Sequence, residues 1–105
     1  MKNKLHIRYP AIFYIDTDGI SISFPDIPEC ISCAFTKKQA LNMAKDALEL
    51  MLHNMKINNL PPQLYPLKRF SAESFFIRSI TVKFNVVDNR LISTKVVEVY
   101  QNDLK

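Results

Sequence analysis

The chain has one glycine in 105 residues and no tryptophan. A phosphate-cradling loop needs several glycines so that the backbone can approach the anion, so nucleotide-loop chemistry is excluded. Most turns must also be built from Asp, Asn and the six prolines. Two cysteines are too few for a disulfide scaffold, and no apolar run nears the roughly 20 residues that span a bilayer. Met1-Lys2-Asn3-Lys4 is basic, but no sustained apolar segment follows it as in a secretory signal. The expectation is a cytoplasmic protein with no membrane association.

What is present suits one small globular domain over residues 1–105. Hydrophobic residues make up 48% and charged residues 23%, too apolar a balance for a disordered chain. The net charge of +4 permits a nucleic acid or an acidic partner without demanding either.

Hydrophobic periodicity supplies the elements. Leu5, Ile7, Tyr9, Ala11, Phe13 and Ile15 alternate with Lys4, His6 and Arg8, predicting a strand with one buried face. Pro10 cannot donate to a ladder and is expected at an edge or bulge. Asp16-Thr17-Asp18-Gly19 is a turn, and Ile20, Ile22 and Phe24 alternate with serines to complete a hairpin. Pro25 and Pro28 interrupt regularity before a short third strand over Cys30–Ala34. Thr36 with Gln39 three residues on forms a capping box. From there Ala40, Leu41, Ala44, Ala47, Leu48, Met51, Leu52 and Met55 recur at helical spacing. Lys37, Lys38, Asn42, Lys45, Asp46, Glu49 and Lys56 fall on the wet side, with Lys45 and Glu49 an i,i+4 pair. This helix is expected to end near Lys56–Asn59, with Asn58 or Asn59 as a left-handed cap.

Downstream, three prolines between Leu60 and Pro66 mark an irregular connection. Phe76, Ile80, Val82, Phe84 and Val86 then predict a long strand whose core face is interrupted at Arg78. A turn at Asp88-Asn89-Arg90 leads into a β-rich run over 91–100. The fold class is therefore α+β: β-β-β-α-β, an antiparallel sheet covered on one face by a single helix, with an extra C-terminal strand.

Several residues invite chemical readings, and each has a plainer one. Cys30 and Cys33 form a C-x-x-C, but strand positions three apart face opposite ways, so they read as unrelated thiols. A zinc site would need two further ligands, and only His6 and His53 are available as histidines. The carboxylates Asp16, Asp18, Asp26, Glu29, Asp46 and Glu49 occupy turns or the helix's wet side, with no three converging as two-metal catalysis requires. No catalytic residue, metal site or cofactor is expected, and the protein reads as a non-enzyme. Met43, Met51 and Met55 are expected to fill core space. Phe75, Phe76 and Tyr65 are placed on exposed apolar surface. Apolar residues on both faces of the late strands predict a second copy as cover, making a homodimer or higher homo-oligomer.

The binding signal that stands out is the strip Lys2, Lys4, His6 and Arg8, all on one strand face and spanning about 20 Å. It could follow a phosphate backbone, or it could be a charged edge that blocks sheet-to-sheet aggregation. The second reading is favoured because no stacking aromatics interleave with the strip.

Taken as an ordered series, Tyr9-Pro10-Ala11-Ile12-Phe13, Asp18-Gly19, Ser21-Ile22-Ser23-Phe24-Pro25-Asp26-Ile27-Pro28, Cys30, and Thr36 with Ala40-Leu41 and Ala44 to Leu48 resemble the HicB family over about Tyr9 to Leu50. Glu29 stands where that pattern has glycine. The resemblance implies a partial RNase H-like fold and a bacterial or phage antitoxin that blocks a HicA-type toxin, a small mRNA-cleaving protein. Many such antitoxins add a C-terminal DNA-binding module. After Val87 this chain has 18 residues that read as strand, so no separate DNA-binding domain is expected. The alternative function is an orphan RNA- or DNA-binding domain that uses the basic strand.

Overall fold

A computed structural model describes residues 3–93. The elements are β1 (Asn3–Asp16), β2 (Gly19–Phe24), β3 (Ile27–Ala34), α1 (Lys37–Leu52), a short 3-10 helix (Ile57–Asn59), β4 (Phe70–Ser71), β5 (Phe75–Val87) and β6 (Arg90–Ile92). All pairings are antiparallel, in the order β3-β2-β1-β5-β4, and β6 pairs with the far end of β5. The sheet-and-helix class expected from periodicity is the one observed.

One face of the sheet is closed by α1. Tyr9, Ala11 and Phe13 of β1, Ile22 and Phe24 of β2, and Ile80, Val82 and Phe84 of β5 meet Ala40, Ala44, Leu48 and Leu52 there. The alanines let the helix approach the sheet closely, while the larger side chains fill the space beneath it. Phe13 and Phe76 oppose each other in the β1–β5 register, and their rings stack with centroids 4.6 Å apart. Phe76 is thus buried, not exposed as the sequence suggested. Arg78, which breaks the apolar pattern, spreads its guanidinium over the Phe76 ring at 5.1 Å and donates to the Phe70 carbonyl. A cation on a core-facing position is tolerated because it lies at the rim, over an aromatic face.

The hairpin depends on the single glycine. Gly19 has φ 144°, and a Cβ there would lie 2.6 Å from the Ala34 carbonyl oxygen. Glycine is required because β3 passes directly behind the turn. At the helix start the Thr36 hydroxyl accepts from the Gln39 N–H, as expected of the N-cap, and Gln39 Oε1 reaches one residue further back than a capping box requires, accepting from the Phe35 N–H.

The helix stops earlier than its pattern implies. It ends at Leu52, and the left-handed residue is Asn54 (φ 69°), not Asn58 or Asn59. Tertiary bonds explain the difference. The Asn54 N–H donates to the Leu91 carbonyl, and Leu91 N–H donates to Met55, so β6 captures the chain just past the helix. The same packing overturns the wet-side placement of Glu49, which is buried and accepts a hydrogen bond from the fully buried Ser93 hydroxyl. Conversely Leu41, assigned to the apolar stripe, is 42% exposed. Met43, Met51 and Met55 do pack against the core.

Asp88 and Asn89 both take positive φ, a tight reversal that returns β6 onto β5. The expected strand over 91–100 is present at Leu91–Ile92, and its remainder from 94 on lies outside the described residues. Among the described residues no helix is long and apolar enough to cross a membrane.

Candidate binding surface

The opposite, helix-free face of the sheet carries the side chains that the sequence singled out. Strand alternation sends Lys4, His6, Arg8, Pro10, Ile12 and Tyr14 of β1 to this outer face. The register sets them against Asn85, Lys83, Thr81, Ser79, Ile77 and Phe75 of β5, in that order. Lys4, His6 and Arg8 are all exposed, while Lys2 lies outside the described residues. Along Lys4–Arg8 the strand is paired with β5 on one side, while the β1–β2 ladder covers only Ile12–Asp16. Among the described residues the other side of this stretch is therefore a sheet edge, as a guard against aggregation would be, and the cations project from the face beside it. Arg8 is further fixed by donating from Nε to Thr81 Oγ1 at 3.0 Å. Lys83, opposite His6, joins the same field, an addition that sequence spacing could not reveal because 77 positions separate the two.

The other end of this face is aromatic. Phe75 sits between Tyr14 and Phe70, with ring centroids 6.2 Å and 5.3 Å away. Tyr14 and Phe70 are about half exposed. Of the aromatics expected on the surface, Phe75 and Tyr65 are there and Phe76 is not. Tyr14 and Phe70 were missed. β1 alternation does place Tyr14 opposite its buried residues, whereas the two-residue strand holding Phe70 gives no periodicity to read.

The proline-containing connection is tied to the sheet. The Tyr9 hydroxyl donates to the Pro61 carbonyl, and Asp26 Oδ1 accepts from the Leu64 and Tyr65 N–H groups. Tyr65, Lys68 and Phe70 then border a recess of about 260 Å³ with Pro10, Ile12 and Ile77. These contacts bury Pro10, which lies just beyond the β1–β2 ladder and is paired on the β5 side alone among the described residues, the edge position expected for a residue without an N–H. The second oxygen of Asp26 is buried without a protein partner. The Tyr9 phenol is raised above its ordinary pKa, first by burial and then by the negative field of Asp26.

The remaining reactive groups are dispersed. Cys30 is buried and Cys33 exposed, on opposite faces as strand geometry requires, and both are free thiols. Burial, with Glu29 nearby, raises the Cys30 thiol to about 11, which keeps it protonated and unreactive. Asp16 caps its own turn by accepting from the Thr17 N–H. At the end of α1, Ser93, Glu49 and His53 lie together. The Ser93 hydroxyl points its proton at Glu49, and its N–H donates to His53 Nδ1. The Ser93 side chain is fully buried among the described residues, so this cluster reads as a clasp between α1 and the segment after β6. Among the described residues no group of three or more His, Cys, Asp or Glu could hold a metal.

No protein-family model and no solved structure matches the chain. Two curated proteins of Photorhabdus laumondii subsp. laumondii do. Antitoxin HicB 2 is 46% identical over 43 residues, which is 41% of this chain and 31% of that protein. Antitoxin HicB 1 is 43% identical over 44 residues, again 41% of this chain and 28% of the relative. The chain therefore matches less than a third of the length of either. Over that stretch it is HicB-like.

Proposed function

We propose that this chain is a non-catalytic antitoxin that neutralises an mRNA-cleaving toxin of the HicA type by binding and occluding it. The observation that carries the reading is the 46% identity to Antitoxin HicB 2 over 43 residues. The geometry is compatible with a binding module: a rigid sheet-and-helix body with reactive groups dispersed and a contoured outer face. Such a protein acts in the cytoplasm, where mRNA is found.

The reading includes a second copy of this chain. Part of the cover expected from a partner comes instead from the chain itself, since Tyr65 and Phe70 border the same recess as Ile77. The reading puts another copy against β3, which ends the strand order among the described residues and where Ile31 is 69% exposed. With no further strand beside it among the described residues, its eight residues offer backbone donors and acceptors to a neighbouring strand.

Co-expression with a HicA-type toxin, taken from the neighbouring gene where one is present, tests the main reading. Restored growth of toxin-arrested cells, with a stable co-purified complex, is the expected result. Unrelieved arrest with no complex removes it. Light scattering that shows a monomer at micromolar concentration removes the second copy alone.

A further inference from the structure

We infer that the outer face of the sheet binds single-stranded RNA. Bases would lie against the Tyr14–Phe75–Phe70 ladder, and phosphates would meet Lys4, His6, Arg8 and Lys83. The proposal does not depend on the antitoxin reading.

Three features of the face support it. The first is sign. Along the outward positions of β1 from Lys4 to Tyr14, and of β5 from Phe75 to Asn85, no residue is acidic. Lys68 extends the positive field to the recess beside the aromatics. A toxin that grips RNA presents basic surface itself, so this cationic face has the wrong sign for such a partner and the right one for a polyanion.

The second is aromatic surface. Sequence alone shows no stacking residues among the cations. Register brings Tyr14, Phe75 and Phe70 from three strands onto the same face as Arg8 and Lys83. Half-exposed rings beside a cationic track are the combination that holds unpaired bases without reading their sequence. From Lys4 to Tyr14 the track runs about 33 Å at roughly 3.3 Å per residue, room for several nucleotides.

The third distinguishes RNA from DNA. Between the cations the outward positions of β5 are Ser79, Thr81 and Asn85, which both donate and accept hydrogen bonds. A row of such groups along a phosphate track suits the 2′-hydroxyl, itself both donor and acceptor. Duplexes would be excluded, because their paired and stacked bases cannot reach the ladder.

Fluorescence anisotropy with the full chain and a fluorescein-labelled uridine 12-mer tests this. With three phosphate contacts from Lys4, Arg8 and Lys83, affinity should fall about twenty-fold between 50 and 200 mM salt, at a slope near −0.7 per contact. Lys4→Glu with Arg8→Glu should weaken binding at least tenfold. Tyr14→Ser with Phe70→Ser should weaken it about fivefold or more. Lys45→Glu, on the exposed side of α1, should leave it unchanged. Thermal melts establish that each variant is folded, and if the aromatic pair is not, the charge-reversed pair still decides. The proposal is overturned by no binding at 50 mM salt, by binding that ignores the charge reversal, or by equal or tighter binding of the same-sequence DNA.

Discussion

The two faces of the sheet are built from the same strands and obey different rules. On the inner face the buried β1 and β5 residues pack in one core cluster under α1, so volume and shape are constrained. On the outer face the alternate residues of those strands meet solvent, a short crossing segment and one another, so charge and exposed aromatic surface can vary without threatening the fold. One register between β1 and β5 serves both: it stacks Phe13 on Phe76 inside and sets Tyr14 against Phe75 outside.

The sharpest break in this comparison is Phe13→Ala. It should cost about 3–5 kcal/mol in urea unfolding, because a fully buried ring is removed from beneath the helix. Ser93→Ala attacks the clasp instead. It leaves the buried Glu49 carboxylate without that donor and should cost about 1–3 kcal/mol. If it proves neutral, the segment after β6 contributes little to the inner face.

Cys30 allows the same face to be probed by pH. Its thiol titrates near 9.0 in the unfolded chain and about 11 when folded, so the folded state holds its proton more tightly. The stability it contributes is complete below pH 9 and is lost as pH rises through 11, at most about 3 kcal/mol before solvent screening reduces it. Tyr9, also raised, adds to the loss in the alkaline range. Cys30→Ala should therefore flatten the decline of the urea midpoint above pH 9 without abolishing it. An aromatic disulfide reagent at pH 8 should titrate one thiol, Cys33, and two equal reactive thiols would contradict the burial. Thr36→Ala should remove about 1 kcal/mol by leaving the Gln39 N–H without its cap. Smallest of all, Lys83→Ala on the outer face should change stability by less than about 0.5 kcal/mol, against the several expected for Phe13.

Much of this was legible beforehand because the signals are local. Alternation in β1 and β2 is a property of consecutive residues, as is the Thr36–Gln39 cap. The HicB-like series was likewise visible as an ordered string. The errors share a cause. The helix pattern runs on to Met55, yet the helix stops at Leu52 because bonds to Leu91 compete for the chain. Glu49 occupies a polar position on the helical wheel, yet Ser93, 44 positions away, gives it a buried partner. The aromatics beside the basic strip are hidden in the sequence because Tyr14 lies six residues beyond Arg8 on β1 and the other two rings arrive from β4 and β5.

By itself the sequence determined the α+β class, the hairpin, the start of the helix and which β1 residues face inward, since each follows from spacing within one element. The tertiary structure alone decided where the helix stops, that Glu49 and Phe76 are buried, and that cations and aromatic rings share one outer face. Those outcomes depend on the register between β1 and β5 and on the return of β6, contacts between segments distant in the chain that no local pattern encodes.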